Sequence, residues 1–162
     1  MASPDLATEQ PTRPWWTVLP FLLAVAVVAG VGGLAASSAQ STYRALDLPP
    51  FAPPSWLFGP VWSVLYVFIG VAGWLLWRSR GWDGVLWLWV GQLVLNLAWT
   101  PLFFGGDQYV LALVDIVLLD IAVAALVVLA WRTSRVAAWL LVPYLAWTCF
   151  ASALNAGIVV LN

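Results

Sequence analysis

Histidine is absent from these 162 residues, and cysteine and methionine occur once each. Haem ligation through His or Met and metal sites of the His/Cys type therefore lack their donors, and no cofactor or metal is expected. A single cysteine, Cys149, excludes an intrachain disulfide and leaves the redox compartment unreadable. Charge is scarce as well: 8% of the residues are charged against 64% hydrophobic, and the net charge is −1. No nucleic-acid partner is expected, and no nucleophile triad or phosphate-cradling loop is visible. Segments of ~10 residues with alternating polarity, the mark of a membrane β-barrel, are missing too.

What is present is one apolar run after another. A helix needs ~20 apolar residues to cross ~30 Å of hydrocarbon, and five stretches meet that length: 15–36, 55–77, 84–104, 108–131 and 135–161. Spans this apolar are helical, because lipid cannot satisfy the backbone of a lone strand. The breaks at 37–54, 78–83, 105–107 and 132–134 are short. The predicted fold is therefore an all-α integral membrane protein, a single five-helix bundle over 15–162, behind a disordered tail over 1–14 that holds Pro4, Pro11 and Pro14. Small residues over 34–39 also suggest a signal peptide cleaved near Ala39, but an apolar region of about 20 residues exceeds the usual ~7–15. Arg13, Arg78, Arg80, Arg132 and Arg135 fall on the side of the N-terminus and Arg44 alone on the other. That bias predicts a cytoplasmic N-terminus and an outside C-terminus in a multi-pass bacterial cell-membrane protein.

Polar residues inside the spans are few enough to follow individually. Gln92, Asn96 and Thr100 recur at i, i+4 spacing, so one face of the third span is polar and should look inward, with Trp99 beside it. Asp115 and Asp120 point about 140° apart on an ideal helix, which excludes a paired-carboxylate acid/base site. Two roles are open to Asp115, hydrogen bonding to Asn, Gln or Trp within the bundle and contact with a ligand; no partner can be named for Asp120. At ~1.5 Å per residue, Trp62, Asn96 and Asp115 lie roughly 12 Å below the outer surface, Trp99 and Asn155 nearer ~8 Å, and Trp147 nearer the midplane. Such a layer suits a small-molecule cavity with aromatic walls, or helices joined by Trp and Asn.

Of the tryptophans, Trp15, Trp16, Trp77, Trp82 and Trp131 stand at span ends and read as interfacial belt. Trp74, Trp87, Trp89 and Trp139 read as packing or belt, which leaves Trp56, Trp62, Trp99 and Trp147 in the outer half. The glycines at 30–33, and Gly70 with Gly73, allow close helix packing or dimerisation. Prolines ahead of the second span fix extended backbone and a defined helix start, a stiff hinge for a lid. Pro60, deeper, is placed to rotate Trp62 away from Trp56.

"PPFAPPSWLFGPVWSVLY", "QLVLNLAWTPLFFG", "ALVD" and "VPYLAW" followed by "LN" occur in an order and spacing that resembles the TspO/MBR family, over about residues 41–155. The resemblance implies a five-helix bundle, frequently a homodimer, acting as a receptor or carrier for porphyrin-type tetrapyrroles such as protoporphyrin IX and related hydrophobic ligands, in sensing or export. It also implies a second possibility, a light-dependent porphyrin-degrading enzyme, with Trp62 and Trp147 as the candidate photochemical residues and the porphyrin as substrate. Residue by residue, Trp62, Tyr66, Asn96, Trp99, Asp115, Trp147, Ala151 and Asn155 correspond to ligand-site positions, under a loop lid containing Arg44, Pro49, Pro53 and Pro54. Thr42, Leu48 and Phe51 depart from residues common in the family, which leaves Arg44 as the only loop cation. No Lys or Arg closely follows Tyr144, so no cholesterol motif is expected in the last helix. Two further functions are open to a bundle of this kind, a proton-driven transporter using Asp115 or Asp120 and a purely interacting membrane subunit. Five spans do not divide into the equal repeats common in carriers.

Overall fold

A computed structural model describes residues 14–35 and 39–162. The predicted tail up to residue 13, and residues 36–38 of the small-residue stretch, lie outside the described residues. Helix α1 spans Leu19–Ala35 and follows a tight 3₁₀ turn at Trp15–Val18. A short helix α2, Ala39–Ala45, precedes the proline segment, and a second 3₁₀ turn, Ser55–Leu57, leads into α3, Phe58–Arg80. Then come α4, Gly84–Thr100, widening into π-type turns over Pro101–Gly105, α5, Tyr109–Trp131, and α6, Arg135–Leu161. Five of these segments are long and apolar enough to cross a membrane, as the hydropathy requires. The second span continues to Arg80 rather than stopping at Trp77, because Arg78 and Arg80 keep helical backbone while their cations reach the interface. Helix α2 gives no signal in the sequence: seven residues, AQSTYRA, are too short and too polar to register as a span.

Chain reversals have local chemical causes. Gly81 ends α3 with φ of 74°, a backbone angle that L side chains rarely adopt, and its N–H caps the Trp77 carbonyl at 2.7 Å. Asp83 then starts α4: its Oδ1 accepts from the N–H groups of Val85 at 3.0 Å and Leu86 at 3.1 Å. Ser134 does the same for α6, accepting from Ala137 N–H at 3.3 Å. Pro60 lies within the first turn of α3, where its missing N–H costs no helical bond. Pro143, inside α6, leaves the carbonyl one turn back without its usual donor, yet the helix runs through it.

Packing closes the spans into a ring. α1 lies against α3, α3 against α6, α6 against α5, α5 against α4, and α4 back against α1. Glycines set two of these contacts. A Cβ on Gly73 would overlap the Trp89 ring, so only glycine admits this indole between α3 and α4, where its Nε1 donates to the Ile69 carbonyl at 3.0 Å. A Cβ on Gly70 would come within 2.9 Å of Leu22, which brings α1 equally close. The small-residue positions of α3 thus serve packing within the chain. Toward the end of the bundle that carries Arg80 and Arg135, Leu76, Leu86, Val123, Leu126, Ala137 and Leu141 are fully or almost fully buried and fill the bundle.

The tryptophans divide as their depth requires, with one clear assignment added. Trp15, Trp16, Trp82, Trp87, Trp131 and Trp139 are exposed, whereas Trp89 is buried and belongs to packing. At the same end, Arg78 stacks over Trp74 at 4.7 Å and Arg80 donates to the Thr133 hydroxyl at 3.2 Å.

Two outcomes are expected from this packing. Gly73→Ala forces the Trp89 ring to move and should lower stability in detergent by about 1–3 kcal/mol, read as a lower thermal midpoint. Gly30→Ala, whose Cβ would meet nothing within 4 Å, should leave that midpoint unchanged or slightly raised. Asp83 supplies a pH dependence: desolvation is the largest single influence and opposes its charge, but the Leu86 N–H, the Arg80 guanidinium and the Val85 N–H together outweigh it and hold its carboxyl below the ordinary range. A folded-state value below the unfolded one means that its contribution is present above the unfolded value and lost as pH falls through the folded one. Asp83→Asn should flatten that acid limb of a thermal-midpoint titration.

Candidate functional site: an aromatic cavity above a buried polar relay

A cavity of about 520 Å³ opens in the half of the bundle nearer the proline segment and takes walls from all five spans. Trp62 and Tyr66 project from α3 one helical turn apart, with ring centroids 5.3 Å from each other. Asn96 and Trp99 come from α4, Ile116 and Leu119 from α5, and Trp147, Thr148 and Ala151 from α6. Tyr43 of α2 closes the outer end. It is buried, packs edge-on against Phe58 at 5.6 Å, and donates to the Pro53 carbonyl at 3.0 Å. Burial pushes the Tyr43 phenol above its ordinary pKa, so it remains a neutral donor.

The floor is a chain of hydrogen bonds. Tyr66 donates to Asn96 Oδ1 at 2.9 Å, Asn96 Nδ2 donates to the Tyr144 hydroxyl at 3.1 Å, and Tyr144 donates to Gln92 Oε1 at 2.8 Å. Gln92 Nε2 ends the chain on the Trp89 carbonyl at 3.0 Å. Gln92 and Tyr144 are wholly buried, and hydrocarbon around the bundle offers no water to satisfy them. The inward polar stripe of α4 is therefore spent on tyrosines of α3 and α6, which fixes the three helices in register.

Six of the eight residues expected at a ligand site line this cavity: Trp62, Tyr66, Asn96, Trp99, Trp147 and Ala151. Asn155 stands beside it, in a recess of about 20 Å³, accepting from Trp99 Nε1 at 3.2 Å and donating to the Tyr109 carbonyl at 3.0 Å. Asp115 does not line the cavity, and its Oδ2 is buried without a hydrogen-bond partner among the described residues. Asn96 and Gln92, two of the partners expected for it, are already engaged by tyrosines. Asp120 has a partner that helical spacing could not supply, Ser152 Oγ on α6, donating at 2.6 Å. None of the four expected lid residues lines the cavity. Arg44 and Pro54 are exposed, Pro53 lends its carbonyl to Tyr43, and Pro49 is buried against Gly157.

Trp147 is shallower than counting along α6 suggests. Its ring lies 5.8 Å from that of Phe58, at the start of α3. With 27 residues, α6 is about 40 Å long at ~1.5 Å per residue, longer than the ~30 Å of a hydrocarbon core, and its last turns stand beside Asp47 and Pro49. The Trp147 indole Nε1 is buried and has no hydrogen-bond partner among the described residues.

Sequence reasoning missed Tyr43, Phe58, Thr148, Ile116 and Leu119 as lining residues, and Tyr144 as the centre of the relay. Helical spacing could have found some of them. Phe58, Trp62 and Tyr66 share an i, i+4 face, as do Tyr144 and Thr148, with Trp147 and Ala151 alongside. Tyr43 carries no such signal, since its helix is too short to show a period.

Residues 12–161 match the sequence profile of the TspO/MBR family. The chain is 42% identical over 144 residues to the tryptophan-rich protein TspO of Archaeoglobus fulgidus, covering 87% of this chain and 94% of that protein. It is 40% identical over 148 residues to the human translocator protein, covering 88% of each. To the tryptophan-rich protein TspO of Chlorobaculum tepidum it is 42% identical over 127 residues, 74% of this chain and 78% of that one.

The relay makes a testable demand. Tyr144→Phe removes one hydroxyl and takes from Asn96 Nδ2 and Gln92 Oε1 their partner inside the bundle. It should cost about 1–3 kcal/mol, measured as a lowered thermal midpoint in detergent.

Proposed function

Because the chain belongs to the TspO/MBR family, we propose that its cavity binds a metal-free, protoporphyrin-type tetrapyrrole, making this integral multi-pass membrane protein a receptor or carrier for such molecules. The observation that carries this reading is the cavity itself, whose wall brings together the rings of Trp62, Trp99 and Trp147 beside Tyr66 and Asn96. The volume, about 520 Å³, falls within the roughly 300–1,000 Å³ of small-molecule pockets. A flat macrocycle gains from stacking against Trp62 and Trp147 beyond its area burial. With no histidine in the chain, a porphyrin that needs no axial ligand is the better match. The arginine bias supports a cytoplasmic N-terminus in a bacterial-type cell membrane, with the cavity toward the outside. Protoporphyrin IX should quench tryptophan fluorescence saturably in detergent, and Trp62→Phe combined with Trp147→Phe should weaken the binding about tenfold or more. Unchanged saturation in the double variant removes this cavity from consideration.

A second reading, light-dependent oxidation of the bound porphyrin by dioxygen, is favoured by one feature: Trp62 packs on Tyr66 and Tyr144, with centroids 5.3 and 6.1 Å away, giving a contiguous set of oxidisable rings. The excited porphyrin would supply the reactivity and the protein its orientation. Under matched illumination this reading requires faster loss of the porphyrin absorption band with protein than without it. Equal rates reject it.

A further inference from the structure

We propose that the cavity exchanges its ligand sideways, through the seam between α1 and α3 and directly with the bilayer, while the outer loop stays shut. The proposal rests on the reading that the cavity binds a hydrophobic ligand.

The loop is fastened at several points. The Asn162 side-chain amide holds the Asp47 backbone in both directions: Asp47 N–H donates to Oδ1 at 3.1 Å, and Nδ2 donates to the Asp47 carbonyl at 3.1 Å. The same Nδ2 also donates to the Ile158 carbonyl at 3.0 Å, which ties the amide to its own helix. Pro49 rests on Gly157 of α6 so closely that a Cβ there would come within 3.0 Å of the proline ring. Tyr43 adds its bond to the Pro53 carbonyl at 3.0 Å, and Phe51 meets the Phe150 ring at 6.4 Å. Prolines stiffen the segment between these points, so lifting the loop means breaking the contacts together.

Level with the cavity the seam has no such fastening among the described residues; Trp74 Nε1 does donate to Thr17 Oγ1 at 2.9 Å, but near the opposite end of the bundle. Gly33 on α1 and Gly59 and Ser63 on α3 each line the cavity and are also exposed. A residue that does both stands at a mouth. Register places them together: Gly70 sits on Leu22 and Val25, and the helices are antiparallel, so Ser63 falls opposite about residues 29–32 and Gly59 opposite about residues 33–35. Packing does not require glycine here, since a Cβ on Gly33 or Gly59 would meet nothing within 4 Å. What their missing side chains leave is an opening at the depth where a membrane-dissolved ligand is concentrated. Ser63 Oγ donates to the Gly59 carbonyl at 2.9 Å, so its hydroxyl is already satisfied at an apolar rim.

Stopped-flow tryptophan quenching by protoporphyrin IX, with the full chain in lipid nanodiscs, tests the route. Gly33→Leu and Gly59→Leu should slow association and dissociation together, by about tenfold, as expected when a gate is narrowed. Gly30→Leu, on the same helix but away from the cavity lining, controls for helix propensity, and Asn162→Ala, which unfastens the loop, should leave both rates unchanged. Faster exchange in Asn162→Ala, or seam variants that keep the association rate, overturns the lateral route while leaving the binding reading intact. A wild-type chain with no saturable quenching rejects the binding reading and the route with it.

Discussion

A buried amide surrounded by hydrocarbon needs partners from the protein, and the cavity-bearing half of this bundle is organised around meeting that demand. Asn96 is satisfied only when Tyr66 of α3 and Tyr144 of α6 both reach it, and Tyr144 in turn must reach Gln92. Hydrocarbon offers little apolar driving force between helices, so packing and such bonds hold the bundle together. The relay sets the relative height of three helices, and with it the position of every ring above.

Those rings pack on one another and on their neighbours around a space that they do not fill. Below it, glycines let Trp89 and α1 approach closely and the space is filled; above it, Trp62, Trp99 and Trp147 line a space that their own side chains leave open. The Trp147 donor, without an acceptor among the described residues, lies on that upper side. Chemistry and shape thus point to the same half of the molecule.

The spans are legible in the sequence because hydropathy over some twenty residues is a strong signal, and the inward face of α4 because Gln92, Asn96 and Thr100 share one side of a helix. The partners of that face are not legible. Spacing within one helix says nothing of which neighbour supplies a donor, and the bonds to Asn96 and Gln92 that Asp115 could have made fall to Tyr66 and Tyr144 instead. Depth counted along α6 fails for Trp147 because the helix is longer than the membrane is thick. Helix α2 is hidden by its brevity, and the proline segment, which reads as a hinge, is held by contacts with residues more than a hundred positions away.

The filled half has a consequence for passage through the bundle. A molecule resting on the relay has Leu76, Leu86, Trp89 and Leu141 beneath it, all buried, so in this conformation the bundle is a cup and not a tube. On the proposed function, a ligand held there would sit on one side of the bundle. To cross to the other side it would have to leave the cup first, and the protein's influence on such traffic would lie in how much ligand it withholds from the lipid and for how long.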